Sequence, residues 1–168
     1  LGVSGLRIAA VEGDDVMAMA DQVKWMKPLT GRLIGAHAYL GCLPIAEALE
    51  AGADVVVTGR VADSALFAAP VRQFLDPDPN ALAGALTVGH LLECGGQLTG
   101  GNYDPLGGPK SGNPLSAAEF AAIGYPLAHV YADGSADITV LEGAPAIVDA
   151  LTCTCLLYTS PSPRDAHE

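Results

Sequence analysis

The stretch DVVVTGRVADSALF, Asp54 to Phe67, decides how this chain is read. A β-branched run, Val55-Val56-Val57, breaks off at Thr58, Gly59 and Arg60, and a helical pattern resumes after Asp63 and Ser64. A valine run without polar alternation suits a strand covered by helices on both faces. A strand that stops in glycine and charge before a helix is the usual ligand edge of an α/β protein, because loops and helix N-termini converge beyond the carboxyl ends of parallel strands.

The residues before this stretch complete a unit. Leu33 to Tyr39 reads as a strand, Gly41 and Cys42 as a turn, and Pro44 stands in the first turn of a helix, where its missing N–H costs nothing. Ile45, Ala48 and Leu49 form that helix's apolar stripe, Glu47 and Glu50 face water, and Gly52 suits a left-handed C-terminal cap. Strand, helix and strand at this spacing predict a parallel crossover. Further upstream, Ile8 to Val11 is a short strand, with Asp14 or Asp15 capping a helix from about Val16 to Met26 that Pro28 ends. Val16, Met19, Ala20 and Val23 would form its buried face.

Downstream, a helix is expected from about Ser64 to Phe74, a break at DPDPN, and a helix from Ala81 to about Cys94 capped by Asn80. A long glycine- and proline-rich loop follows, GGQLTGGNYDPLGGPKSGNP. Ser116 and Glu119 make a capping box, and Leu127–Tyr131 with Ala136–Leu141 makes a hairpin turning at Asp133-Gly134. The fold class is α/β: a mostly parallel sheet flanked by helices in Rossmann-like layers, with a C-terminal hairpin.

Composition narrows the function classes. A net charge of −11 argues against a nucleic-acid or anionic-lipid partner. No apolar run approaches the roughly 20 residues that span a bilayer. The opening LGVSGLRIAAVEGDD has no cationic signal-peptide region, so a cytoplasmic protein is expected. Cys42, Cys94, Cys153 and Cys155 include no Cys-x-x-Cys pair and read as buried or incidental thiols, so no metal is assigned.

Two constellations carry candidate chemistry. In the first, Arg60 offers a planar fork for a carboxylate or phosphate, Gly59 allows a close backbone approach, and Asp63 or Ser64 starts a helix whose free N–H groups favour an anion. The plain alternative is that Asp63 is a cap and Arg60 its ion partner. No Gly-Lys-Ser/Thr follows and no Gly-x-Gly-x-x-Gly follows the first strand, so neither a Walker loop nor a dinucleotide site is supported. In the second, GHLLECGGQLTGGN, helical spacing puts His90, Glu93, Cys94 and Gln97 on one face. Glu93 and His90 could work as an acid/base pair or simply hold the helix to the next loop. Thr99 lies with Gln97 among glycines, including Gly100 and Gly101, whose backbone N–H groups could line a pocket. His37, between alanines, reads as a core or rim histidine.

VEGDD, AYLGCLPIAEALEAGADVVVTGRVADSALFAAPV, GHLLECGGQLTGGN, IGYPLAHV and DGSADIT occur in the order seen in the acyclic terpene utilisation (AtuA-like) family, which the chain resembles from roughly Leu6 to Gly143. The resemblance implies a part in bacterial catabolism of acyclic terpenoids or branched acyl-CoA compounds, with no cofactor named. It matches Thr58, Gly59, Arg60, Asp63, His90, Glu93, Gln97, Thr99, Gly100 and Gly101. The leading expectation is a lyase or hydratase on a small-molecule, acyl-CoA-type substrate, with Glu93 and His90 moving protons and Arg60, Asp63 and Ser64 holding an anion. The alternative is a non-catalytic subunit or scaffold for a carboxylase or hydratase. A homo-oligomer or a pathway-enzyme partner fits either.

The proline-rich loop NYDPLGGPKSGNP departs from the family, whose members often carry a more aromatic, acidic loop there. Family members are also longer, so residues 1–151 are expected to be an internal part of the main domain. Cys155 to Asp165, CLLYTSPSPRD, resembles one reading frame of a common sequencing adapter, and residues 152–168 are therefore set outside the fold as a non-native tail.

Overall fold

The computed structural model describes residues 4–24, 30–101 and 116–159. Strand β1 (Ile8–Val11) and strand β2 (Val55–Thr58) pair in parallel, Ile8 opposite Val55 and Val11 opposite Thr58. Helix α1 (Leu43–Glu50) packs against both strands, with Pro44 in its first turn and Gly52 at φ 89° just past its end, as the sequence predicts. Val11, Cys42, Ile45, Ala46 and Val61 join Ala65, Ala68 and Ala69 in the main core.

The large parallel sheet expected from the sequence is not formed. Among the described residues the sheets are two-stranded, one parallel pair and one antiparallel hairpin. Leu33 to Tyr39, the expected strand, contributes only isolated bridges nearby, His37 to Asp15 and Leu40 to Val61. Gly35, Ala36 and Ala38 bring little side chain to a pleated surface, and Ile34 is 92% exposed while only Ala36 is buried, so the segment has little apolar face to bury. Nor do helices cover both sides of β2: Val55 and Val57 are exposed beside Ile8, while Val56 packs inward.

The expected helix after Asp15 is a short 3-10 turn, Met17–Gln22, and of its predicted buried face only Ala20 is buried. A threefold turn does not keep the 3.6-residue stripe on one side. Its predicted end at Met26 and Pro28 lies outside the described residues.

Helix α2 (Ala65–Val71) runs into a 3-10 turn at Arg72–Phe74 and lies against α1 and α3 (Pro79–Glu93). Asp78, not Asn80, caps α3: its Oδ1 accepts the Asn80 backbone N–H at 2.9 Å. Pro79 then takes the first helical position, which suits a residue without an N–H. The short helix α4 (Ala117–Ala121) has its capping box, with Ser116 and Glu119 bonded reciprocally at 2.8 and 3.2 Å. Strands β3 (Pro126–Val130) and β4 (Ala136–Val140) form the hairpin. Most of the proline-rich loop, 102–115, lies outside the described residues.

Helix α5 (Ala150–Thr159) crosses the 151/152 boundary drawn from the sequence. Asp149 Oδ1 accepts the Leu151 and Thr152 backbone N–H groups, both at 2.9 Å, and Leu156 is buried with Leu91 and Leu98 in a second core. Local capping and one buried leucine therefore seat the beginning of the tail.

The hairpin docks on α3 through bare backbone. A Cβ on Gly84 would strike the Gly134 carbonyl, and a Cβ on Gly134, at φ 83°, would strike the Ala81 carbonyl. Gly134→Ala adds left-handed strain to overpacking. It should cost about 2–4 kcal/mol, lowering the melting temperature by roughly 5–12 °C. An unchanged melting curve would mean the hairpin is not held against α3.

Candidate functional site

Both strands of the parallel pair end at one edge, Val11 opposite Thr58, and the chain beyond each end builds a cavity of about 390 Å³. Its wall carries Asp14 from the loop after β1, His37 from the bridging segment, Thr58 to Val61 from the end of β2, and Asp63 and Leu66 at the start of α2. The segment 36–40 is laced between the two loops. Ala38 N–H donates to the Asp14 carbonyl at 2.7 Å, Leu40 N–H to Arg60 at 3.1 Å, and Ala62 N–H to Leu40 at 2.9 Å. The residues that failed to make a strand thus act as a strap across the strand ends.

Asp14 is the centre of this arrangement. Its carboxylate occupies the space a Cβ on residue 59 would need, which is why glycine stands there. The close approach expected at Gly59 is made, and what approaches is a side chain of the protein itself. The Arg60 backbone N–H and then the His37 ring hold the Asp14 carboxyl below its ordinary value. His37 Nδ1 lies 2.8 Å from Asp14 Oδ2, and the Asp14 side chain is 14% exposed against 50% for the ring. A carboxyl lowered on folding stabilises above its unfolded value, and that contribution disappears as pH falls through the folded value. The cavity's anchor is therefore complete at neutral pH and released in acid.

The Arg60 side chain is exposed, its guanidinium carbon 5.4 Å from the Tyr39 ring centroid, within the range of a cation–π contact. Among the described residues no carboxylate makes an ion pair with it, so the plain pairing with Asp63 is not formed. Asp63 lies on the same wall. The helix start beside it differs from expectation: Ser64 makes no side-chain cap. The Ala65, Leu66 and Phe67 N–H groups donate to Ala62, Asp63 and Ser64 carbonyls. Tight turns satisfy donors that would otherwise face an anion.

His90 and Glu93 lie on α3, both half-buried and off the cavity wall. Helix α3 stops at Glu93, so Gln97 belongs to the following 3-10 turn, Gly95–Gln97, and the single helical face drawn from spacing is broken. Cys94 Sγ donates to Glu93 Oε1 at 3.0 Å. Burial first, then that bond and the charges of Glu93 and Asp63, push the Cys94 thiol up to about 12. A Cβ at Gly89 would come within 2.6 Å of the Ser64 carbonyl, so α3 lies close against the start of α2. Thr99 is buried, its hydroxyl shared between the Gly96 and Gly124 carbonyls at 3.2 and 3.0 Å. The Gly100 and Gly101 N–H groups donate to Gln97 and Gly96, so these glycines close a turn instead of presenting free donors. Among the described residues no cluster of three or more His, Cys, Asp or Glu could hold a metal.

Of the residues singled out from sequence, the fold brings Arg60 and Asp63 to the cavity and adds Asp14, one of the two aspartates read as a possible cap, and His37, read as a core or rim histidine. Gly59 carried the one usable signal, a glycine between a strand and an arginine, but it did not say which group would approach.

Gly59→Ala should destabilise by about 1–3 kcal/mol by pushing Asp14 aside, and Asp14→Ala in the same chain should restore part of that loss in denaturant melts. Additive losses would mean the two residues are not in contact. At pH 8, Cys94 should react with iodoacetamide about 100-fold or more slowly than an ordinary exposed cysteine, read by peptide mass mapping. Labelling at the ordinary rate would contradict its burial against Glu93.

Neither a curated protein nor a solved structure matches this chain. The family described as acyclic terpene utilisation family protein AtuA matches residues 1–164, nearly the whole length. With the glycine-bordered strand end, the strap and the α3 turn all inside that span, the chain belongs to the AtuA family of acyclic terpene utilisation.

Proposed function

We propose that this chain is an enzyme of acyclic terpenoid and branched acyl-CoA breakdown, a hydratase or lyase that holds an anionic group of its substrate on Arg60. Family membership supports the pathway context. The observation that carries the reading is the Arg60 guanidinium: it stands on a cavity at the carboxyl ends of parallel strands, over an aromatic ring, with no ion-pair partner among the described residues. A cationic fork kept unpaired is suited to a ligand carboxylate or phosphate. A volume of about 390 Å³ is in the range of small-molecule sites and suits a branched acyl head. Asp63 on the same wall would orient the polar end of the substrate. Glu93 and His90 lie on α3 and do not line the cavity; in this reading they assist proton transfer from the α3 side.

The open apolar face of the parallel pair, Ile8, Val55 and Val57, favours a second reading, a non-catalytic subunit docked on a carboxylase or hydratase. The two separate cleanly. If the chain is an enzyme, it turns over a branched acyl-CoA or acid alone, and Arg60→Ala lowers kcat/KM by about 100-fold, the loss expected for a charge-assisted contact of roughly 2–3 kcal/mol. Glu93→Gln should cost less than Arg60→Ala. Undiminished turnover in Arg60→Ala overturns the site. Activity only with a co-purified enzyme selects the subunit reading.

A further inference from the structure

The cavity holds a histidine that the reading above does not use. His37 Nδ1 and Asp14 Oδ2 are 2.8 Å apart. A neutral imidazole donates through one nitrogen only, so a carboxylate at Nδ1 selects the Nδ1–H tautomer and leaves the Nε2 lone pair to accept. Among the described residues no hydrogen bond reaches Nε2. Asp14 is tied in turn by the Arg60 backbone N–H and by its seat against Gly59, so the acceptor cannot swing away from the ring. This is the arrangement of a base with an orienting partner, and it lines the same cavity as a cation without an ion-pair partner among the described residues.

We propose that His37 is the catalytic base of this cavity, Asp14 its positioning residue, and a free carboxylate on the substrate the group that Arg60 anchors beside it. The assignment rests on Arg60 as the anion anchor. Nε2 takes a proton from a water or hydroxyl held next to the anchored acid, and the O–H bonding pair stays on that oxygen. The ring then carries a positive charge, compensated by ionised Asp14, and returns the proton to the product. No oxidant, reductant or metal enters this transfer. The charged groups around His37 are Asp14 at its ring, Asp15 across the backbone bridge, and Arg60 and Asp63 lining the same cavity.

Nitrogen-detected NMR of the histidine rings in the full chain tests this with 3-methylbutanoate as probe. His37 should show the Nδ1–H tautomer at neutral pH, and Asp14→Ala should convert it to a mixture. Adding 3-methylbutanoate should move the His37 Nε2 resonance and leave His90 in place, and the effect should vanish in Arg60→Ala. His37→Gln should lower kcat by 100-fold or more with KM changed less than threefold. A His37 found as the Nε2–H tautomer in the wild type, or a probe that moves His90 and not His37, overturns the assignment, and neither measurement depends on a variant folding. Probe binding that requires Arg60 but leaves His37 unmoved removes the base and keeps the anchor. Probe binding indifferent to Arg60→Ala removes the anchor itself.

Discussion

Asp14 lies against the bare Cα of Gly59, and the Arg60 backbone N–H and the His37 ring both reach its carboxylate. That contact adds a side-chain tie to the backbone hydrogen bonds joining three stretches of chain: the loop after β1, the strap at 36–40, and the turn after β2. The parallel register makes it possible, since pairing Val11 with Thr58 ends both strands level and brings Asp14 over residue 59. Any side chain at 59 would deny Asp14 its place, and without Asp14 the His37 ring would lose its orientation. Local backbone geometry, the electrostatics of one carboxylate and the form of the cavity are therefore one constraint.

The wall opposite the strap is set by small-residue packing. Ala65, Ala68 and Ala69 of α2 are buried, and a Cβ at Gly89 of α3 would come within 2.6 Å of the Ser64 carbonyl. Helices that meet through alanine and glycine approach with their backbones close, which ties Asp63 and Leu66 to α3. The same device repeats where Gly84 meets Gly134 of the hairpin. The chain's abundance of alanine and glycine is thus how these elements come together without large aromatic side chains between them. It also explains why the polar end of α3 adjoins the cavity wall without opening into it: Cys94 is drawn into the packing, and Glu93 is occupied with its thiol.

Where the reading from sequence missed, longer-range structure overrode a local pattern. The valine run promised a strand covered on both faces, yet only the α1 side of β2 is covered, because the segment expected to widen the sheet became a strap. Asp14 looks like a helix cap in VEGDD, and its side chain is instead spent on His37 and Arg60 while Asp15 serves the following turn. His90, Glu93, Cys94 and Gln97 fit a helical wheel, but α3 ends at Glu93 before the wheel closes.

The sequence by itself determined the features that depend on neighbours a few positions away: Pro44 opening α1, Gly52 closing it, the Ser116–Glu119 capping box, the Asp133-Gly134 turn, and the break in character at Gly59-Arg60. Each follows from a backbone angle or a hydrogen bond that adjacent residues supply. The partners at the cavity were decided only by the tertiary structure. Asp14 and His37 are 23 residues apart, and no local rule says which of several aspartates a distant imidazole will meet. That choice belongs to the parallel pairing and to the one missing Cβ beneath the carboxylate.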